Sequence, residues 1–165
     1  VSSTSKSVFS AAASPPPLAT ITAAAGIIED GSLTNDYDNN LSCTWLIQPP
    51  GSPAVINFDM TSLNLDISGG FASRDRVRIY DGTNNSGTLL RTYQGTFIGN
   101  TVSAYSGAMF IEFTTFATGT DQGWEGTFSS SSTFCVPQTT FTANNGNFSD
   151  GSPFGQNYLD NTDCS

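Results

Sequence analysis

The sequence predicts an all-β fold, an antiparallel β-sandwich, and three observations lead there. The chain carries 12 Phe, 5 Tyr and 2 Trp among many Thr, Ser, Gly and Asn, a composition that suits half-buried strands and leaves little for long helices. Short segments alternate apolar and polar side chains, the period-two signature of a strand with one covered face. Each segment is broken by Gly, Asn or Pro within a few residues, as many short strands joined by turns require. A chain of 165 residues has room for one domain of about 110 residues plus extensions.

Taken in order, residues 1–17 are rich in Ser, Ala and Pro. They read as a linker or extended arm, because Pro15 to Pro17 favour polyproline geometry and the stretch has little to bury. Ile56, Phe58 and Met60 then fall on one strand face, with Asn57 and Asp59 on the other. Val77 and Ile79 alternate with Arg76 and Arg78, and Met109, Ile111 and Phe113 with Ala108 and Glu112. Turns are expected in Asp81–Gly87 and Ala117–Gly123, where Gly, Asn, Asp and Thr cluster. Trp45 and Trp124 stand among alternating apolar residues, so core packing outweighs a role as sugar-stacking platforms.

An internal repeat organises the chain. TITAAAGIIEDGS at 20–32 returns as TFTANNGNFSDGS at 140–152, and YDNNLSC at 37–43 as YLDNTDC at 158–164. Chance matching of both blocks is improbable in so short a chain. The expected organisation is an arm at 1–17, one full unit at 18–132 and the opening of a second at 133–165.

Charge and residue usage exclude several functions. Fourteen acidic residues against five basic give a net charge of −9, which repels phosphate backbones and argues against nucleic acid. The carboxylates suit calcium, though a solvated acidic surface is the commoner explanation. Histidine is absent, which removes Ser-His-Asp and Cys-His catalysis and the usual zinc ligand sets. Asp66 and Asp75 as an acid and base pair would need a substrate cleft, and nothing in the sequence marks one, so the chain reads as non-enzymatic. No run of 18 apolar residues offers a membrane span, and the first residues lack the apolar core of a secretion signal. The chain therefore reads as soluble, with any signal already removed.

Asp30-Gly-Ser32, Tyr37, Cys43-Thr-Trp45-Leu-Ile47, Asp75-Arg-Val-Arg-Ile79-Tyr-Asp-Gly82, Gly107-Ala-Met109-Phe-Ile111-Glu-Phe113 and Gly123-Trp-Glu-Gly126 together resemble a CUB domain over roughly 18–130. The resemblance implies a jelly-roll sandwich in a secreted protein, binding proteins or carbohydrates. It thus implies partners among other chains, copies of itself, further CUB repeats or glycans, in a structural or adhesive assembly. The alternative is a recognition module attached to a secreted protease or other hydrolase. Residues 133–165 resemble the opening of a second CUB repeat.

Site expectations follow from the same resemblance. The family pairs a Cys near its start with the one before the Trp, which Cys135 and Cys164 match; such a bridge would contribute about 3 kcal/mol. In the first unit Pro15 takes the first position, leaving Cys43 as a buried thiol or a bridge to another chain. The second family disulfide has no counterpart. A calcium subset of the family implies Asp75, with Asp66 and Asp121 as substitutes for its other acids and Tyr37 beside them; Phe116 stands where the family has an Asp. The rival for Asp75 is a hydrogen-bonded loop cap. Asn40, Asn84 and Asn147 begin Asn-x-Ser triplets and are expected glycosylation acceptors. Arg74, Arg76 and Arg78 share one strand face and are expected to meet a carboxylate-rich partner or ordinary cross-strand neighbours.

Overall fold

A computed structural model describes residues 8–10, 19–32, 34–70, 73–99 and 101–132. The expected Cys135–Cys164 bridge, the Asn147 acceptor and the second repeat at 133–165 lie outside them. The described residues form ten strands and no α-helix. The strands are β1 (Val8–Ser10), β2 (Ala19–Ile21), β3 (Ala25–Glu29), β4 (Ser42–Ile47) and β5 (Val55–Asn64), then β6 (Arg76–Asp81), β7 (Thr88–Tyr93), β8 (Val102–Ala104), β9 (Met109–Thr114) and β10 (Gly123–Ser131).

They pair into two five-stranded sheets, β1-β3-β10-β5-β8 and β2-β4-β9-β6-β7. All pairs are antiparallel except β1 on β3 and β2 on β4, which run parallel at the rim of each sheet. Val8–Ser10 lies inside the stretch read from sequence as an arm, so part of that arm supplies an edge strand. Three residues carry too little alternation to signal a strand, and pairing with β3 decides the matter.

The alternation read from the sequence sets which face each strand buries. Ile56 and Phe58 are fully buried and Met60 nearly so, and the same holds for Val77, Ile79, Met109, Ile111 and Phe113. Trp45 and Trp124 meet edge to face between the sheets, with ring centroids 5.2 Å apart at 85°. Phe58 and Phe113 pack edge-on to Trp124 at 6.4 and 6.1 Å. The indole N–H of Trp124 is buried without a hydrogen-bond partner among the described residues; the surrounding rings leave it only weak π acceptors. Both tryptophans are therefore core.

Close packing at the sheet centre depends on Gly126. A Cβ there would run into the Phe58 ring, and β10 shifts register against β5 between Glu125 and Gly126. The bulge and the missing side chain together make room for the Phe58 ring against β10.

Cys43 is a free, buried thiol opposite Phe113. Burial, and to a lesser extent the nearby Asp30, push its pKa up, so it is a poor nucleophile. We expect no reaction with a thiol reagent in the native state over hours, and one equivalent per first unit once denatured. Native-state labelling at the denatured rate would contradict this placement.

Candidate functional site, an acidic loop end

One end of the sandwich gathers the loops that leave β5 and β9 and enter β4, β6 and β10, and it holds the acidic residues singled out by sequence. At its centre Asp75 is completely buried. Its Oδ2 accepts the Tyr37 hydroxyl at 2.7 Å, and its Oδ1 accepts the Phe116 backbone N–H at 2.7 Å. Tyr37, itself 3% exposed, accepts the Asp66 N–H at 2.8 Å through the same hydroxyl oxygen. The Asp75 N–H donates to the Asp66 carbonyl at 3.3 Å. Tyr37, Asp66, Asp75 and Phe116 thus form one continuous latch across three loops.

Its surroundings are equally tied down. Asp121 accepts the Asn64 side-chain amide at 2.9 Å, and its carbonyl accepts the Tyr37 N–H at 3.1 Å. Asp66 turns its carboxylate onto Ser68, accepting the backbone N–H and, at 2.8 Å, the hydroxyl. Gly119, at φ 87°, lies so close that a Cβ would meet that carboxylate, so only glycine suits both the backbone and the space. Thr115 joins neighbouring strand ends, accepting the Leu41 N–H at 2.7 Å and donating to the Asp38 carbonyl at 2.8 Å. Arg76 stacks on the Phe116 ring, 5.0 Å from its centroid.

The electrostatics follow from burial. Desolvation raises the pKa of Asp75 most; the hydrogen bonds from Tyr37 and Phe116 pull it back in part, Asp66 adds to the rise, and the net shift is upward. Burial also drives the Tyr37 phenol upward, with Asp75 adding to the rise, so Tyr37 is a neutral donor at any physiological pH. Beside the latch lies a depression of about 250 Å³ lined in part by Asp30, Asp36, Tyr37 and Asp38.

The four residues expected around calcium therefore share one end of the sandwich, and each is engaged in protein hydrogen bonds. Both Asp75 oxygens accept protein donors, Asp66 caps Ser68 and Asp121 holds Asn64. Among the described residues no three acidic, His or Cys side chains are grouped to hold a metal, whereas calcium takes six to eight oxygens. Asp75 stands in the loop-cap arrangement. Arg78 pairs with Glu112 at 3.2 Å on the outer face of the β6 sheet, an ordinary cross-strand neighbour, and Arg76 lies across from Thr114 on the same face. Asn40 and Asn84 are exposed; the Asn84 side-chain oxygen closes its turn by accepting the Ser86 N–H at 2.8 Å.

Asp30 was read in the sequence only as part of the Asp-Gly-Ser motif, with no role of its own. Its carboxylate accepts the Trp124 backbone N–H at 2.6 Å and the Ser32 backbone N–H at 2.8 Å, joining the β3 exit to the start of β10. The repeated Asp-Gly-Ser at 30–32 and 150–152 was the available signal. Asp81 acts alike, accepting the Tyr105 and Ser106 N–H groups at 3.0 Å.

The sequence profile of the CUB domain matches residues 19–128. The chain belongs to the CUB family. Among curated proteins, cubilin of Canis lupus familiaris is 28% identical over 140 residues, which cover 84% of this chain and 4% of cubilin. An astacin-like metalloendopeptidase of Gallus gallus is 31% identical over 111 residues, covering 67% of this chain and 26% of that protein. The chain thus spans only a small part of the curated relatives it matches. Among solved structures, the MASP-1 CUB2 domain bound to Ca2+ superposes with a TM-score of 0.57 at 17% identity, covering 67% of this chain and 96% of that one, a likeness of fold. That neighbour carries calcium.

Proposed function

We propose that this chain is a non-enzymatic extracellular binding module, working as a structural or adhesive unit in a multi-repeat assembly. The observation that carries the reading is the internal repeat: the CUB domain at 19–128 is followed by a second copy of its own opening motifs. A module that recurs at fixed spacing presents the same surface many times, which multiplies weak contacts into firm attachment. Composition supports the absence of catalysis, since the chain has no histidine, and among the described residues the buried carboxylates Asp30 and Asp75 cap loops. Exposed Asn40 and Asn84 accept glycans in this reading, as suits a secreted protein.

A second reading has one observation in its favour. The astacin-like metalloendopeptidase match covers 26% of that protein, so the module would recruit substrates for a hydrolase encoded in the same parent chain. Light scattering after gel filtration, run over a hundredfold range of concentration, separates the two. Molar mass rising with concentration supports assembly. A monomer throughout overturns self-assembly and leaves recognition of a foreign partner.

A further inference from the structure

Three of the four large apolar side chains that stay exposed among the described residues gather on two neighbouring loops. Ile67, on the loop from β5 to β6, is 49% exposed, and Phe97 and Ile98, on the loop from β7 to β8, are 66% and 46% exposed. The loops are tied together: the Leu65 N–H donates to the Gly95 carbonyl at 3.0 Å, and a Cβ on Gly95 would stand 3.4 Å from Ile67 Cγ2. A single exposed apolar residue is ordinary on a protein surface, whereas several side by side mark a surface that meets something.

An arginine is built into the same patch. Arg91 lies opposite Ile79 and Tyr93 opposite Val77, so both side chains start from the inner face of β7, the last strand of its sheet. The Arg91 guanidinium is 5.5 Å from the centre of the buried Tyr93 ring and 5.6 Å from that of the exposed Phe97 ring. Gly99 leaves the remaining room, since a Cβ there would run into the guanidinium. Arg91 is half-buried and no carboxylate pairs with it among the described residues, in a chain with fourteen acidic residues against five basic ones. The ring faces steady the cation and leave its planar fork of N–H donors for a planar acceptor.

We propose that Arg91, Phe97, Ile98 and Ile67 form a docking site for an acidic segment of a partner protein, one that presents a Glu or Asp beside a large apolar side chain. The carboxylate pairs with the Arg91 fork, and the apolar neighbour covers Phe97 and the two isoleucines. Charge decides the occupant. A wholly apolar segment would bury the guanidinium unpaired, which is costly, and a polyanion is repelled by the net charge of −9. A lone carboxylate in an apolar setting matches a lone cation in an apolar setting, and arginine with aromatic rings is the residue set on which binding energy concentrates.

The site rests on the reading of the chain as a binding module and names the chemistry of its partner. The test is a titration of the full, isotope-labelled chain with acetyl-Leu-Glu-Leu-amide, and with its Gln counterpart, read by amide NMR shifts up to about 10 mM peptide, the range in which so small a ligand binds. We expect saturable shifts at Arg91, Phe97 and Ile98 with the Glu peptide. Affinity should be at least about fivefold lower for the Gln peptide, for Arg91→Gln and for Phe97→Ala, as loss of a charge-assisted pair or of its apolar setting requires. The Gln peptide needs no altered protein, so the comparison stands even where a variant fails to fold. Equal affinity for the two peptides, unchanged affinity in a folded Arg91→Gln chain, or no saturable shift at these residues would overturn the proposal. A wild-type oligomer that Arg91→Gln returns to monomer would overturn it too, by seating a second copy on this face. Molar mass of the wild-type chain alone reads repeat assembly, so the docking and the assembly can fail separately.

Discussion

Trp124→Ala is expected to lower stability by about 3–5 kcal/mol, the usual cost of emptying an aromatic site in a close-packed core. Trp124 is 3% exposed and touches Trp45, Phe58 and Phe113 edge-on, so its removal opens a hole that rings on both sheets border. Such ring contacts add about 0.5–1.5 kcal/mol beyond area burial. Chemical denaturation of the wild-type and variant chains measures the loss. Trp45→Ala should cost a comparable amount, and the pair together less than the sum, since each single change already breaks their shared contact. A near-neutral result for either would mean that the ring stands outside the core and is free for ligand stacking.

The latch gives the second large effect. Tyr37→Phe removes the hydroxyl that donates to Asp75 and accepts from the Asp66 N–H, and leaving buried groups unpaired costs about 1–3 kcal/mol each. The expected loss is therefore about 2–4 kcal/mol by denaturation, and a loss below half a unit would place the latch outside the folding energetics. pH gives an independent reading. Asp75 has its pKa raised in the folded state, so between the unfolded and folded values the native chain binds more protons than the unfolded one. Stability from this group is full below its unfolded value of 3.8 and falls as pH rises through the folded value. Asp75→Asn cannot titrate, so the stability of wild type relative to that variant should be greater at pH 4 than at pH 7. The opposite trend would show that the hydrogen bonds from Tyr37 and Phe116 outweigh desolvation.

Much of the sandwich was legible because burial has a period. Ile56-Asn57-Phe58-Asp59-Met60 and Arg76-Val77-Arg78-Ile79 declare their inner faces outright, and both match the observed burial. What stayed hidden depends on tertiary partners. β1 is three residues without alternation, held by β3. Phe110, Leu46 and Tyr80 are apolar on the outward face, where periodicity assigns polar residues.

The acidic end was half legible for a related reason. Motif position picked out Asp75 and Tyr37, and they do touch. Whether a carboxylate holds a cation or a backbone N–H depends on where a distant loop brings its donors, and Phe116 lies 41 residues from Asp75. Asp30, Asp66, Asp75 and Asp81 all cap backbone N–H groups. Part of the net charge of −9 thus serves loop closure, a role composition alone does not reveal.

The most direct test of this account is the thermal midpoint of the full chain with millimolar calcium and again with excess chelator. If Tyr37, Asn64, Ser68 and the Phe116 N–H already satisfy the acidic end, the two midpoints agree within about 1 °C, because a ligand that does not bind the native state cannot shift the equilibrium. A rise of several degrees in calcium, abolished by Asp75→Asn, would show that the latch opens to admit an ion and would contradict the claim that this loop end is closed by the protein's own hydrogen bonds.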